Sequence, residues 1–220
     1  MFFSVKAPFQ GHEVADYERR RYRGLDQRIV HHREVNILKK MMSLIEDMSP
    51  TAASAYVLDA PCGYGRFSTL LLERYGRLVS CDLSLAMVER AIRRESISAI
   101  PMGIVSNMTE GLPFQPNVFR LILSMRLFHH LHESEERRSV LREFAYASAG
   151  WLILSFYQVN RFHLIQRKLR RKIKRSKTRI KMIRRREFEE EADEAGFEVV
   201  RVIPLFRGIH AHQIALLKKP

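Results

Sequence analysis

From residue 56 onward, short apolar runs alternate with stretches whose apolar residues recur every three or four positions. The first pattern is that of strands buried on both faces, the second that of helices with one buried stripe. Tyr56–Ala60 predicts a strand ending at Asp59, and Gly65–Tyr75 a helix. Leu78–Cys81 predicts a second strand, ending at Asp82, followed by a helix over Ser84–Arg94. Ile104–Ser106 and Phe119–Met125 predict strands three and four, Glu133–Ala147 a helix, and Trp151–Tyr157 strand five. Arg186–Ala195 predicts a helix stopped by Gly196, before two closing strands at Phe197–Pro204 and Ala211–Lys218. This alternation implies a doubly wound α/β fold: a mostly parallel seven-stranded sheet, helices on both faces, and an antiparallel C-terminal hairpin at the edge. Ahead of it, Glu13–Met48 reads as mostly helical with a break at Gly24, a helical N-terminal cap joined through a connector at Ser49–Ala55. No internal repeat interrupts this order.

The chain has 220 residues, 46% of them hydrophobic, which suits a single domain with a full core and excludes a disordered chain. Its parts are the cap (1–50), a core (51–160), a basic insertion (161–186) and the closing helix and strands (187–220). No run of about 18 apolar residues is long enough to cross a bilayer, and Met1–Lys6 lacks the basic start of a signal peptide. Two cysteines without a secretory segment point to a reducing compartment rather than a disulfide scaffold. The expectation is a soluble cytoplasmic protein.

The formal net charge of +14 is local. Arg161–Arg186 holds fourteen Lys and Arg and no acid, and without it 24 basic residues face 24 acidic ones. Any electrostatic partner therefore meets that segment. In it, Phe162, Ile165, Leu169 and Ile173 lie on one helical face, and Ile180 and Ile183 extend the stripe if a helix runs through Ser176 and Thr178. A basic amphipathic helix of this kind suits an anionic membrane surface or an anionic substrate. It also suits the phosphates of a nucleic acid, although Phe162 is its single aromatic residue for base stacking. A solvated face with no specific partner is the third reading.

The string Val57-Leu58-Asp59-Ala60-Pro61-Cys62-Gly63-Tyr64-Gly65-Arg66-Phe67-Ser68 carries the most chemistry. A buried strand ends in an acid and turns through two glycines into a helix, where an open parallel sheet binds nucleotide-like ligands. A dinucleotide site needs a third glycine where Ser68 stands, and Asp59 would repel a pyrophosphate. An acid followed by glycines suits a cofactor with a cationic aminoacyl group and no phosphate, and Asp82 is placed to accept both ribose hydroxyls.

These residues resemble motif I of the class I S-adenosylmethionine-dependent methyltransferases. Asp59-Ala60-Pro61-Cys62-Gly63-Tyr64-Gly65 is similar to the family's D-x-G-x-G-x-G, with Pro61 in place of the first glycine. Val79–Ser84 resembles the ribose-binding strand end, Asn107–Phe114 the adenine-contacting segment, Leu123–Leu131 the close of strand four, and Ala195–Val200 the last helix-to-strand turn. The departures are Pro61, Arg120 where an acid commonly follows phenylalanine, and a strand-five turn reduced to Ser148-Ala149-Gly150. The resemblance implies S-adenosylmethionine as cofactor, contacted by Asp59, Ala60, Pro61, Cys62, Gly63, Gly65, Asp82, Leu83, Asn107, Met108 and Ser124. It also implies a cap over the cofactor, from which Arg33 would pair with the cofactor carboxylate; Tyr17 and Tyr22 share that cap.

His129 and His130 follow strand four, beside the methyl group in the family, and an imidazole there suits removal of a proton from an acceptor hydroxyl at neutral pH. No standard metal-ligand spacing is present, so no metal is expected. Cys62 and Cys81 read as small packing residues, and His210 and His212 as structural or exposed. The implied activity is methylation of an oxygen on a small-molecule, glycolipid or other anionic amphiphilic acceptor. An RNA methyltransferase and a non-catalytic cofactor-binding module anchored by its basic helix are the alternatives. No Asn-Pro-Pro-Tyr or Asp-Pro-Pro-Tyr string, the signature of exocyclic-amine methylation, follows strand four.

Overall fold

The computed structural model describes residues 25–50, 56–95, 102–159, 180–208 and 210–220. The expectations for Tyr17, Tyr22 and most of the basic insertion lie outside these residues. The elements in chain order are α1 (Leu25–Met48), β1 (Tyr56–Asp59), α2 (Ser68–Tyr75), β2 (Arg77–Asp82), α3 (Leu85–Glu95), β3 (Met102–Val105) and β4 (Phe119–Ser124). A single 3-10 turn (Phe128–His130) precedes α4 (Ser134–Ala147), β5 (Ser148–Tyr157), α5 (Arg185–Glu194), β6 (Glu198–Pro204) and β7 (His212–Lys218).

The seven strands form one sheet in the order β3-β2-β1-β4-β5-β7-β6. β1 to β5 are mutually parallel, and β7 pairs antiparallel with both β5 and β6. The expected doubly wound fold is present, with the closing pair inserted so that β7, not β6, lies against β5. The burial pattern explains the choice. β7 is buried over most of its length, whereas β6 is only partly covered, so the more apolar strand takes the inner position.

Alternation along each central strand divides the core between the two faces. Val57, Leu121, Leu123, Trp151, Ile153, Ile214 and Leu216 pack with Ile37, Leu38, Met41, Met42 and Ile45 of α1 and Leu71 and Tyr75 of α2. Leu58, Ile122, Leu152, Leu154, Phe156, Ala215 and Leu217 face the other way, against Val140, Leu141 and Phe144 of α4 and Phe188 and Ala192 of α5. The helical cap thus packs onto one sheet face.

Two local expectations change. The strand-five turn at 148–150 is instead the start of β5, since α4 runs directly into the strand with Ser148 as its C-cap. The apolar stripe does not continue as a helix through Ile183. Residues 180–184 are extended, Ile183 is buried and bridges Gln158, and Ile180 is exposed. The pull of the core on Ile183 outweighs helical continuation in a segment weakened by Ser176 and Thr178.

Candidate cofactor and acceptor site

The strand order reverses between β1 and β4: the chain winds outward through β2 and β3, then crosses back to β4. At such a switch point the loops diverge and leave a crevice beyond the carboxyl ends of the strands. Asp59 ends β1, Asp82 ends β2 and Ser124 ends β4, so three of the expected residues line this one edge. Asp59 and Ser124 are fully buried, and the Ser124 hydroxyl has no hydrogen-bond partner among the described residues.

The turn after β1 is stapled on both sides. The Ala60 N–H donates to the Leu123 carbonyl at 2.9 Å and the Cys62 N–H to the Cys81 carbonyl at 2.8 Å. The Asp82 carboxylate accepts the Gly63 N–H at 3.0 Å on one oxygen and the Ser84 N–H at 3.0 Å on the other. A carboxylate has about four acceptor positions, so these bonds leave capacity for a hydroxyl donor. Burial pushes the Asp82 carboxyl above its ordinary value, partly offset by the N–H groups of Ser84, Gly63 and Leu83. Burial, with Asp82 and Asp59 nearby, pushes the Cys81 thiol up to about 12, which suits packing and rules out a thiolate nucleophile at neutral pH.

Gly63 and Gly65 do different work. Both have left-handed backbone, φ +53° and +77°. A Cβ on Gly63 would meet nothing within 4 Å, whereas one on Gly65 would lie 2.9 Å from the Ala91 Cα of α3. Gly65 therefore lets α3 approach the turn, and Gly63 keeps its outer side open. Gly65→Ala is expected to lower both stability and cofactor affinity, since a left-handed alanine costs about 1–2 kcal/mol before the clash. Gly63→Ala meets only the conformational cost, so its loss of affinity should exceed its loss of stability. Thermal melts alongside calorimetric titration separate the two; equal melting temperatures for both variants would refute the packing argument.

Other expected contacts are placed less simply. Leu83 is half-buried just beyond β2. Met108 is buried and packs into the core under α4. Asn107 lies in the segment that the resemblance assigns to adenine contact, where its side-chain oxygen would be the acceptor for the adenine amine. That oxygen already accepts the Thr109 N–H at 3.2 Å and the Thr109 hydroxyl at 2.8 Å, filling both lone pairs. Arg33 is exposed on α1 and donates its Nε–H to the Leu205 carbonyl at 3.2 Å, tying the cap to the exit of β6.

The buried charge of the cap is its neighbour, Glu34, which sequence reasoning missed. Arg66, from the glycine turn, and Arg126, just after β4, both donate to its carboxylate, Arg126 at 2.7 Å. Arg126 has φ +67° and donates its own N–H to Ser155 Oγ at 2.7 Å. A bulky residue held in left-handed backbone by surrounding bonds is characteristic of a functional edge. The glutamate's apolar neighbours on α1 gave the only signal: a carboxylate on the buried stripe must have partners.

His129 is half-buried and His130 exposed on the turn after β4, their rings 4.0 Å apart. Tyr157, at the end of β5, meets His129 edge-on at 5.1 Å and stacks on His212 at 5.0 Å. His212 is buried, in keeping with its structural reading. Arg137 of α4 holds the turn from below, donating to the carbonyls of Leu131 and His132 at 3.3 Å each. The same guanidinium is paired with the buried Glu191 at 2.6 and 2.9 Å. Among the described residues no group of three His, Cys, Asp or Glu side chains is placed to hold a metal ion, and no helix is long and apolar enough to cross a membrane.

The residues present fit S-adenosylmethionine: a buried carboxylate, Asp59, beside the turn would suit a cationic amine, Asp82 has acceptor capacity left, and Gly63 leaves an open side. The fold is that of the class I S-adenosylmethionine-dependent methyltransferases, and the glycine turn and strand-end acids resemble the motifs of that class. Residues 57–148 match the family model described as a methyltransferase domain. The chain is similar to the 18S rRNA (guanine-N(7))-methyltransferase of Bos taurus, 29% identical over 91 residues, which cover 41% of this chain and 31% of the length of that relative. The magnesium protoporphyrin IX methyltransferase of Synechocystis PCC 6803, solved with bound S-adenosylhomocysteine, superposes with a TM-score of 0.76 over 96% of each chain at 15% identity. An S-adenosylmethionine-dependent methyltransferase from Clostridium acetobutylicum gives 0.66 over 86% of this chain and 92% of that one at 11% identity.

Proposed function

We propose that the protein transfers the methyl group of S-adenosylmethionine to an oxygen of a small-molecule or lipid-linked acceptor that carries negative charge. The observation that carries the acceptor's charge is where the basic insertion begins and ends. Val159 donates to the Ile183 carbonyl at 3.0 Å, Ile183 to the Tyr157 carbonyl at 2.9 Å, and Lys181 to the His129 carbonyl at 3.1 Å. The intervening residues, 160–179, contain ten Lys and Arg and no acid; their flanks, Val159 and Ile183, are bonded to each other, and Lys181 is bonded to His129. Positive potential concentrated there favours an anionic acceptor or an anionic membrane surface. The protein would then work in the cytoplasm, in part at the membrane face.

In this reading Asp82 orients the ribose, and Asp59 and the backbone of Ala60–Gly65 shape the aminoacyl end. Met108 borders the adenine, and Ser124 offers its hydroxyl at the centre of the edge. When bound, the cofactor supplies an electrophilic sulfonium methyl. The chain's own contribution is to align the acceptor oxygen with it and to take the acceptor proton on His129 or His130, with most of the acceleration arising from alignment. RNA is the second reading, favoured by the similarity to an rRNA methyltransferase. Radiolabelled methyl transfer onto extract separated into lipid, small-molecule, nucleic-acid and protein pools decides between them. Label is expected in the lipid or small-molecule pool; label confined to RNA would replace the first reading by the second.

A further inference from the structure

We propose that Tyr157 is a positioning residue for the base His129, and that His212, braced by Glu34, fixes Tyr157. This rests on the methyltransferase reading above, with His129 as the proton acceptor.

A three-residue turn fixes its backbone and leaves the rotamer of a side chain to the groups around it. His129 sits on a three-residue turn and has two rotatable side-chain bonds. A base must lie within hydrogen-bond reach of its proton, and a displacement of about 1 Å can lower a rate by about a hundredfold. His130 packs against it at 4.0 Å on the same turn, and from outside the turn a continuous series of contacts reaches it through Tyr157. The rings of His129 and Tyr157 meet edge to face, 5.1 Å apart at 63°. Tyr157 lies parallel to His212, 5.0 Å away at 9°. His212 Nδ1 is 3.8 Å from Glu34 Oε1, and Arg126 and Arg66 hold that carboxylate. The series runs from the exposed turn through β5 and β7 to the fully buried Glu34 of α1.

Each link is rigid where the next needs it to be. Tyr157 ends a strand, and its carbonyl accepts the Ile183 N–H at 2.9 Å. The His212 N–H donates to His210 Nδ1 at 3.1 Å. The two sheet faces are filled chiefly by aliphatic and phenylalanine side chains, whereas imidazoles and a phenol gather at this one edge. The contact with His129 is one between rings, edge to face. An aromatic edge-to-face pair favours one relative orientation of its rings, so Tyr157 selects an orientation of the imidazole.

The test compares wild type, Tyr157→Phe and Tyr157→Leu by cofactor titration, by steady-state transfer to the pool that wild type labels, and by the imidazole NMR signals of ¹³C-histidine protein. The His129 signal is assigned from its loss in His129→Gln. Tyr157→Leu is expected to keep cofactor affinity within about twofold, lower kcat at least about tenfold with little change in KM, and move the His129 signal. Tyr157→Phe, which retains the ring, should restore kcat to within about threefold of wild type. If Tyr157→Leu does not fold, His212→Ala takes its place with the same expectation. A wild-type kcat in the ring-deleted variant, an unmoved His129 signal, or an equal loss in Tyr157→Phe would overturn this role and leave the enzyme reading standing. Cofactor binding by wild type without transfer to any pool would overturn the enzyme reading itself.

Discussion

Asp82→Ala is expected to weaken S-adenosylmethionine binding by about two to four orders of magnitude. The estimate counts two hydroxyl donors to one ionised carboxylate, each contributing about 1.5–3 kcal/mol, and every 1.4 kcal/mol is about tenfold. The variant also removes the acceptor of the Gly63 N–H, so the glycine turn loses its staple to β2. Asp82→Asn should not rescue binding, since its amide nitrogen would face either the Gly63 or the Ser84 N–H, donor against donor. Folding should suffer far less than binding. Burial raises the Asp82 carboxyl above 3.8 in the folded chain. A raised folded value means its favourable contribution is complete below the unfolded value and disappears as pH rises through the folded one. At neutral pH the ionised, buried group therefore opposes folding. Isothermal titration with melts in mildly acidic and neutral buffer measures both effects; unchanged affinity in Asp82→Ala and in Asp59→Ala would remove the cofactor roles of both residues.

The largest stability effect is expected at the opposite face of the sheet. Glu191→Ala removes the buried carboxylate of Arg137 and leaves the guanidinium only the half-exposed Glu187, 2.8 Å away, at a cost of about 3–5 kcal/mol. For a chain of this size the melting temperature should fall by roughly 6–20 °C, taking about 2–4 °C per kcal/mol. Because Arg137 also donates to the carbonyls of Leu131 and His132, the histidine turn should loosen before the sheet melts. Replacing both charges by apolar residues, Arg137→Met with Glu191→Leu, should recover much of the stability, since two buried ions are then never desolvated. Scanning calorimetry checks the order; a single variant as stable as the wild type would show that Glu187 and the carbonyls alone satisfy the guanidinium.

The glycine turn and its acids were legible in the sequence because each depends on residues close by. Asp59, Gly63 and Gly65 lie within seven positions on one strand-turn-helix unit, and Asp82 is 19 residues from the glycine it staples. The partners of Glu34 were not legible. Arg126 lies 92 residues away, and pairing at that separation has no signature in a single chain. The same holds for Arg137 and Glu191, 54 residues apart. Arg33, one position from Glu34, was an easy residue to prefer. It carries the charge that suits a carboxylate, yet the helix turns it outward and its neighbour inward.

What the sequence by itself determined is the part written in periodicity and in short turns. That part covers the alternating elements, the acid-and-glycine turn at the end of the first strand, the acid ending the second, and the confinement of the excess charge to one insertion. Strand and helix periods are local properties of the backbone, so they survive without knowledge of what packs against them. The tertiary structure alone decided that β7 enters between β5 and β6, that Glu34 rather than Arg33 joins the cap to the active edge, and that Asn107 spends its acceptor on its own turn. It also decided that Tyr157, His212 and Glu34 follow one another in contact behind His129, and that Lys181, near the end of the basic insertion, is bonded to the carbonyl of that residue. Each of these depends on which distant groups share a low-dielectric space, where an unmatched charge or donor is costly.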